Sequence, residues 1–161
     1  MRDAGLRYAA GALAVAVAAI HIFWGFPRLI TQLQIGAVPD PRPAVFVLSG
    51  ALIVLGIAQI LDGRDPKPIY LAGIGLMLAY ILGYVAWHTV LGHGSFWPWG
   101  PEPITHDIPA YLVVVDHLLA DPLALVSKLL EITLAGLLAV LYRQDAESTD
   151  DRIEAVAGES T

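Results

Sequence analysis

The chain has 161 residues, of which 57% are hydrophobic and 15% charged, with a net charge of −6 and no cysteine; its mean hydropathy is +0.65. A soluble domain carries roughly a quarter charged residues, so this composition points to a single membrane domain. It excludes disulfides, iron–sulfur clusters and thiolate metal sites, and nothing is basic enough for nucleic-acid binding.

A helix that spans a bilayer needs about 20 mostly apolar residues, and four segments meet that demand. The first covers about 9–30, and its core "AGALAVAVAAIHIFWGFPRLI" is too long for a secretory signal and lacks a clean small-residue cleavage site. The second, about 44–61, lies between "PDPRP" and "DGRDPKP". That short, Pro-rich punctuation predicts that the second and third spans are adjacent and antiparallel.

The third span, about 69–91, has two faces. Gly75, Ala79 and Gly83 recur at four-residue steps, the spacing of a close helix-contact seam. About 100° away, Tyr80, Tyr84, Trp87 and His88 share another side. The connection that follows, from Gly92 to Asp121, holds no Lys or Arg. Its "FWPWGPEP" places Phe96, Trp97 and Trp99 as an interfacial aromatic anchor, which could also roof a cavity. Its apolar "IPAYLVVVDHLLADP" is too short to cross, and predicts a helix lying on the surface or tucked back against the bundle. The fourth span, about 122–142, repeats the small-residue device at Ala135 and Ala139.

The architecture expected is therefore all-α: a membrane four-helix bundle over 1–142, with a short interfacial helix before the fourth span. Residues 143–161 hold six acids against Arg143 and Arg152 and little apolar content, which predicts a disordered acidic tail. Arg2, Arg7, Arg64, Lys67, Arg143 and Arg152 fall on one side of such a bundle and only Arg28 and Arg42 on the other. The positive-inside rule then puts both termini in the cytoplasm of a multi-pass cell-membrane protein.

Lys128 and Glu131 are the least expected residues, because a charge deep in a span costs several kcal/mol unless it is paired or wet. At i, i+3 they can neutralise each other; the alternative is a proton or ligand site. Counting a 1.5 Å rise per residue, His21 and Glu131 lie roughly 13 Å below the outer surface, Tyr84 about 10 Å and Lys128 roughly 9 Å. His21, Tyr84, Lys128 and Glu131 are thus expected to face one another or a shared cavity, with Tyr80 and His88 beside them as ligand or proton candidates.

The remaining chemistry is in the histidines. Neutral imidazole ligates zinc, copper and haem iron, and His88, His93, His106 and His117 all belong to the outer region. The step from His88 to His93 crosses a helix end at Gly92, so it is not the one-face pair of a helical metal site. A haem between spans would need His21 and His88 as axial ligands, across a depth difference of about 8 Å. A bound metal or haem is accordingly the minor expectation and no cofactor the main one. Gly94–Ser95 lacks the frame of a nucleophile elbow.

The stretches "HIFWGFPRLI" and "VPDPRPAVFVLSG", with only two lysines in the chain, resemble a group of functionally uncharacterised haloarchaeal four-helix membrane proteins. The resemblance covers most of the chain through the fourth span. It implies an integral membrane protein and carries over no activity and no site residue.

Three functions fit the sequence. The first is a non-catalytic accessory or interaction subunit, bound to other membrane subunits or to itself through its small-residue seams. The second is a protein that handles a small ligand, a quinone, a haem or a proton with the outer-half polar layer. The third is a metal carrier or membrane enzyme using the outer histidines.

Overall fold

The computed structural model describes residues 2–36, 40–96, 100, 102, 104 and 106–159, with side chains at 4–36, 40–96, 100, 102, 104 and 106–147. Five α-helices form: α1 (Arg2–Gln34), α2 (Arg42–Leu61), α3 (Pro66–His88), α4 (Ala110–Ala120) and α5 (Pro122–Glu159). A 3-10 turn, Gly92–Gly94, follows α3. Four of the helices, all but α4, are long and apolar enough to cross a membrane. The all-α bundle is as expected. Trp97 and Trp99 lie outside the described residues, whereas Phe96 is half exposed.

Each helix start has a local cause. Pro occupies the first turn of α2 and α3, where its missing N–H is no loss. Asp65 caps α3 by accepting from the Lys67 N–H, and Asp121 caps α5 by accepting from the Leu123 and Ala124 N–H groups. The α2–α3 turn closes through Gly63, whose φ of +81° suits a residue without Cβ.

The apolar pattern is that of a body solvated by lipid. On α2, Val45, Leu48, Leu52 and Leu55 form an outward stripe, each more than half exposed. Inside, one face of α5 runs Ser127, Glu131, Leu134 and Leu141, opposed by Ala10, Val17 and His21 of α1 and by Tyr70, Met77 and Tyr80 of α3. The main packing partners are α1 with α2, α3 with α5, and α1 with α5. Although joined by a short turn, α2 and α3 touch comparatively little. Each finds its main partner elsewhere, which opens space between the α1–α2 and α3–α5 pairs.

Two expectations need correction. The Gly75–Ala79–Gly83 row is exposed, and a Cβ at Gly75 or Gly83 would meet nothing within 4 Å. The larger Tyr70, Met77 and Tyr80 win the inward face of α3 because they bury more apolar area. Close approach occurs instead at Gly25, Gly50 and Gly73, where an added Cβ would lie 2.8 Å from the Pro43 carbonyl oxygen, 2.7 Å from Ile22 and 2.7 Å from Leu138. Ala135 does pack against the core.

The second correction concerns the chain after 142, which is helical as far as Glu159 instead of irregular. Its acids had argued for disorder, but Ala, Glu and Arg are good helix formers that extend a helix already nucleated in the bundle. Asp145 also accepts from Arg7 of α1 at 2.5 Å, and Arg7 donates in addition to the Tyr70 hydroxyl at 2.9 Å. These bonds tie three helices together at the end that carries both termini.

Candidate functional site

Three of the five histidines lie in helices and use one local device. His21 Nδ1 is 2.9 Å from the Val17 carbonyl, His88 Nδ1 2.9 Å from Tyr84 and His117 Nδ1 2.8 Å from Val113, each four residues back. A carbonyl only accepts, so Nδ1 carries the hydrogen in all three. Each Nε2 is thereby turned away from its own helix with a defined tautomer.

At His21 that nitrogen meets Glu131 Oε1 at 3.3 Å. Glu131 has no solvent exposure. The same oxygen accepts from Ser127 at 2.8 Å, and Oε2 accepts from Lys128 Nζ at 2.5 Å. Lys128 also donates to the Tyr80 carbonyl at 3.3 Å, which places two of its three ammonium hydrogens. Neutral His21 and ionised Glu131 would face each other lone pair to lone pair. One proton between them would remove that repulsion.

Aromatic groups enclose this network. Tyr80 stacks on His21 at 4.0 Å with an interplanar angle of 9°, and Phe46 meets His21 edge-on at 4.8 Å. The Tyr80 hydroxyl donates to Ser49, which donates to the Val45 carbonyl at 2.6 Å. Tyr84 sits over Lys128, Nζ lying 5.5 Å from its ring, and packs on His88 at 4.2 Å.

The second group lies at the end of the bundle that carries the long connection. His93 Nε2 is 3.2 Å from His117 Nε2, and one ligating nitrogen from each of His88, His93 and His117 falls within 4.8 Å of the others. His106 is exposed beside them, its ring 5.4 Å from His117 and 5.8 Å from His93. The backbone is bent to achieve this. His93 itself has φ +59°, between Gly92 at +49° and Gly94 at +95°, a conformation a non-glycine residue rarely adopts. Burial pushes the His93 imidazole below its ordinary pKa, and His117, His106 and Arg42 push the same way. A neutral, ligating ring is favoured.

One cavity of about 560 Å³ joins the two groups. Its wall includes His21, Tyr80, Tyr84 and Lys128 toward the interior and His88, His117 and Asp121 toward the connection. Glu131 stands behind this wall and touches three of its members, Lys128, His21 and Ser127. Arg42 covers another side, held by both Asp40 oxygens and lying 3.8 Å from the centre of the Trp87 ring.

The expected polar layer is therefore assembled: His21, Lys128 and Glu131 touch, with Tyr80 and Tyr84 against them. The expected histidine set divides differently. His88, His93 and His117 converge, His106 stands at the edge, and the His21–His88 pairing does not form. Both nitrogens of His21 are engaged, which leaves none for haem iron. Sequence reasoning missed Ser127, Ser49, Arg42, Trp24 and Phe46. Only Ser127 left a legible sign, four residues before Glu131 on the same helix face.

No protein-family model, curated protein or solved structure matches this chain. Fold and site together define its class: a multi-span integral membrane protein whose bundle holds a largely apolar cavity with a few ionisable groups in its wall.

Proposed function

We propose that the cavity binds a planar, carbonyl-bearing molecule of the lipid phase, of the quinone class, whose oxygen accepts a hydrogen bond from Lys128 in front of Glu131 and His21. The observation that carries this reading is a buried carboxylate bridging an ammonium that faces the cavity and an imidazole nitrogen 3.3 Å away. Lys128 has one hydrogen not placed on protein, and a ligand oxygen is its natural acceptor. Trp24, Phe46, Tyr80 and Trp87 supply flat apolar walls, and the volume lies within the roughly 300–1,000 Å³ of small-molecule sites.

Topology belongs to the same proposal. With both termini cytoplasmic, as the arginine and lysine distribution favours, the histidine end of the cavity lies on the outer side. An accessory subunit without a site of its own needs neither the cavity nor a fully buried carboxylate, whose desolvation costs several kcal/mol.

Titration of the detergent-solubilised protein with a short-chain benzoquinone analogue, read by tryptophan fluorescence, tests the reading. One-to-one saturable quenching is expected, weakened about tenfold or more in Lys128→Met, because a hydrogen bond to a charged group contributes about 1.5–3 kcal/mol. Quenching that does not saturate would leave the accessory-subunit reading in its place.

A further inference from the structure

We propose that His88, His93 and His117 bind a single divalent late-transition-metal ion of the zinc or copper kind at the mouth of the cavity. Borderline cations of this sort take imidazole readily, and the donor set contains nitrogen alone.

The geometry is close to what such an ion requires. Two nitrogens bound at about 2.0–2.1 Å in a tetrahedral arrangement stand about 3.3 Å apart. His93 Nε2 and His117 Nε2 are 3.2 Å apart. One ring nitrogen of His88 lies within 4.8 Å of a ring nitrogen of each of the other two, at most about 1.5 Å beyond that spacing, a distance within reach of side-chain rotation.

The supporting shell is also that of a metal centre. His88 and His117 donate Nδ1–H to backbone carbonyls, the arrangement that fixes a ligating tautomer and aims Nε2 at an ion. His93 Nδ1 is buried without a hydrogen-bond partner, so the ring's one polar contact is its Nε2 approach to His117. Its left-handed backbone, φ +59°, is a strained conformation, and such residues gather where function requires the side chain. Three ligands leave a position open. Since His88 and His117 also line the cavity, that position is within reach of what the cavity holds. His106, exposed at the rim, is not needed for binding.

The inference uses none of the Lys128–Glu131–His21 atoms and is measured without any organic ligand, so it stands or falls separately from the quinone reading. Protein purified without a histidine tag and stripped with chelator is titrated with Zn²⁺ by calorimetry and with Co²⁺ by visible absorption. One equivalent is expected, with the intense ligand-field bands of four-coordinate cobalt. Losing even an outer-shell partner costs up to about 100-fold in metal affinity, and loss of a ligand in His93→Asn or His117→Gln is expected to cost at least that. Asn is chosen at position 93 because it tolerates the left-handed backbone. His106→Ala is expected to keep the full equivalent. The unaltered protein decides by itself: absence of one-to-one binding overturns the site, whatever the variants do. Binding that persists unchanged in both His93→Asn and His117→Gln, or that vanishes in His106→Ala, overturns the three-ligand assignment.

Discussion

Fully buried Glu131 is held by three partners from two helices: Ser127 and Lys128 of its own α5 and His21 of α1. Removing one member of a buried pair strands the other, at a cost of about 3–5 kcal/mol, whereas removing both can be nearly neutral. Glu131→Leu is therefore expected to lower unfolding free energy in detergent by about 3 kcal/mol, and the double variant Lys128→Met/Glu131→Leu by less. A double variant that is worse than Glu131→Leu alone would contradict the pairing. Tyr80→Phe keeps the stack on His21 and loses the bond to Ser49, so a loss of about 1 kcal/mol is expected. At this scale the sequence was partly legible. His21, Lys128 and Glu131 could be placed in one layer because a helix converts residue number into depth. Ser49 could not, because a hydroxyl in an apolar helix ordinarily satisfies itself on its own backbone, and its tie to Tyr80 depends on how two helices meet.

Among the elements, α1 and α2 approach closely at glycines, whereas the more conspicuous glycine row of α3 packs against no helix, and its Ala79 and Gly83 line the cavity. A Cβ at Gly50 would lie 2.7 Å from Ile22, and one at Gly75 would meet nothing within 4 Å. Gly50→Ala should therefore lower the thermal midpoint, while Gly75→Ala leaves it unchanged or raises it, since Ala favours a helix over Gly by about 1 kcal/mol. The opposite ranking would show the α3 row to be the real contact face. Spacing alone could not choose between the two faces, because a membrane helix is apolar all round and carries no amphipathic stripe to orient it. The histidine turn was out of reach for a related reason. The convergence of His93 on His117 depends on positive φ at three consecutive residues and on the docking of α4, neither of which any periodicity encodes. At the far end of α5, Asp145 is the last residue with a described tie to the bundle. Truncation after Glu147 should leave stability nearly unchanged. Truncation after Gln144 removes the partner of Arg7 and should cost no more than about 1 kcal/mol, the range of an exposed ion pair.

For the molecule as a whole, four spans place the long connection and the two termini at opposite ends of the bundle. Cysteines introduced singly as Ser95→Cys and Ser148→Cys should label from opposite sides of a sealed membrane, and labelling from one side would contradict the topology. The cavity, with the Lys128–Glu131–His21 network at its wall and histidines at its mouth, is what distinguishes this bundle from a structural spacer. Infrared difference spectroscopy on addition of the benzoquinone analogue reads the proton of Glu131 directly. The account predicts a ligand-induced change in the protonated-carboxyl C=O band in the unaltered protein and its loss in Glu131→Gln. Saturable binding without any carboxyl change, or the same change in Glu131→Gln, would contradict it.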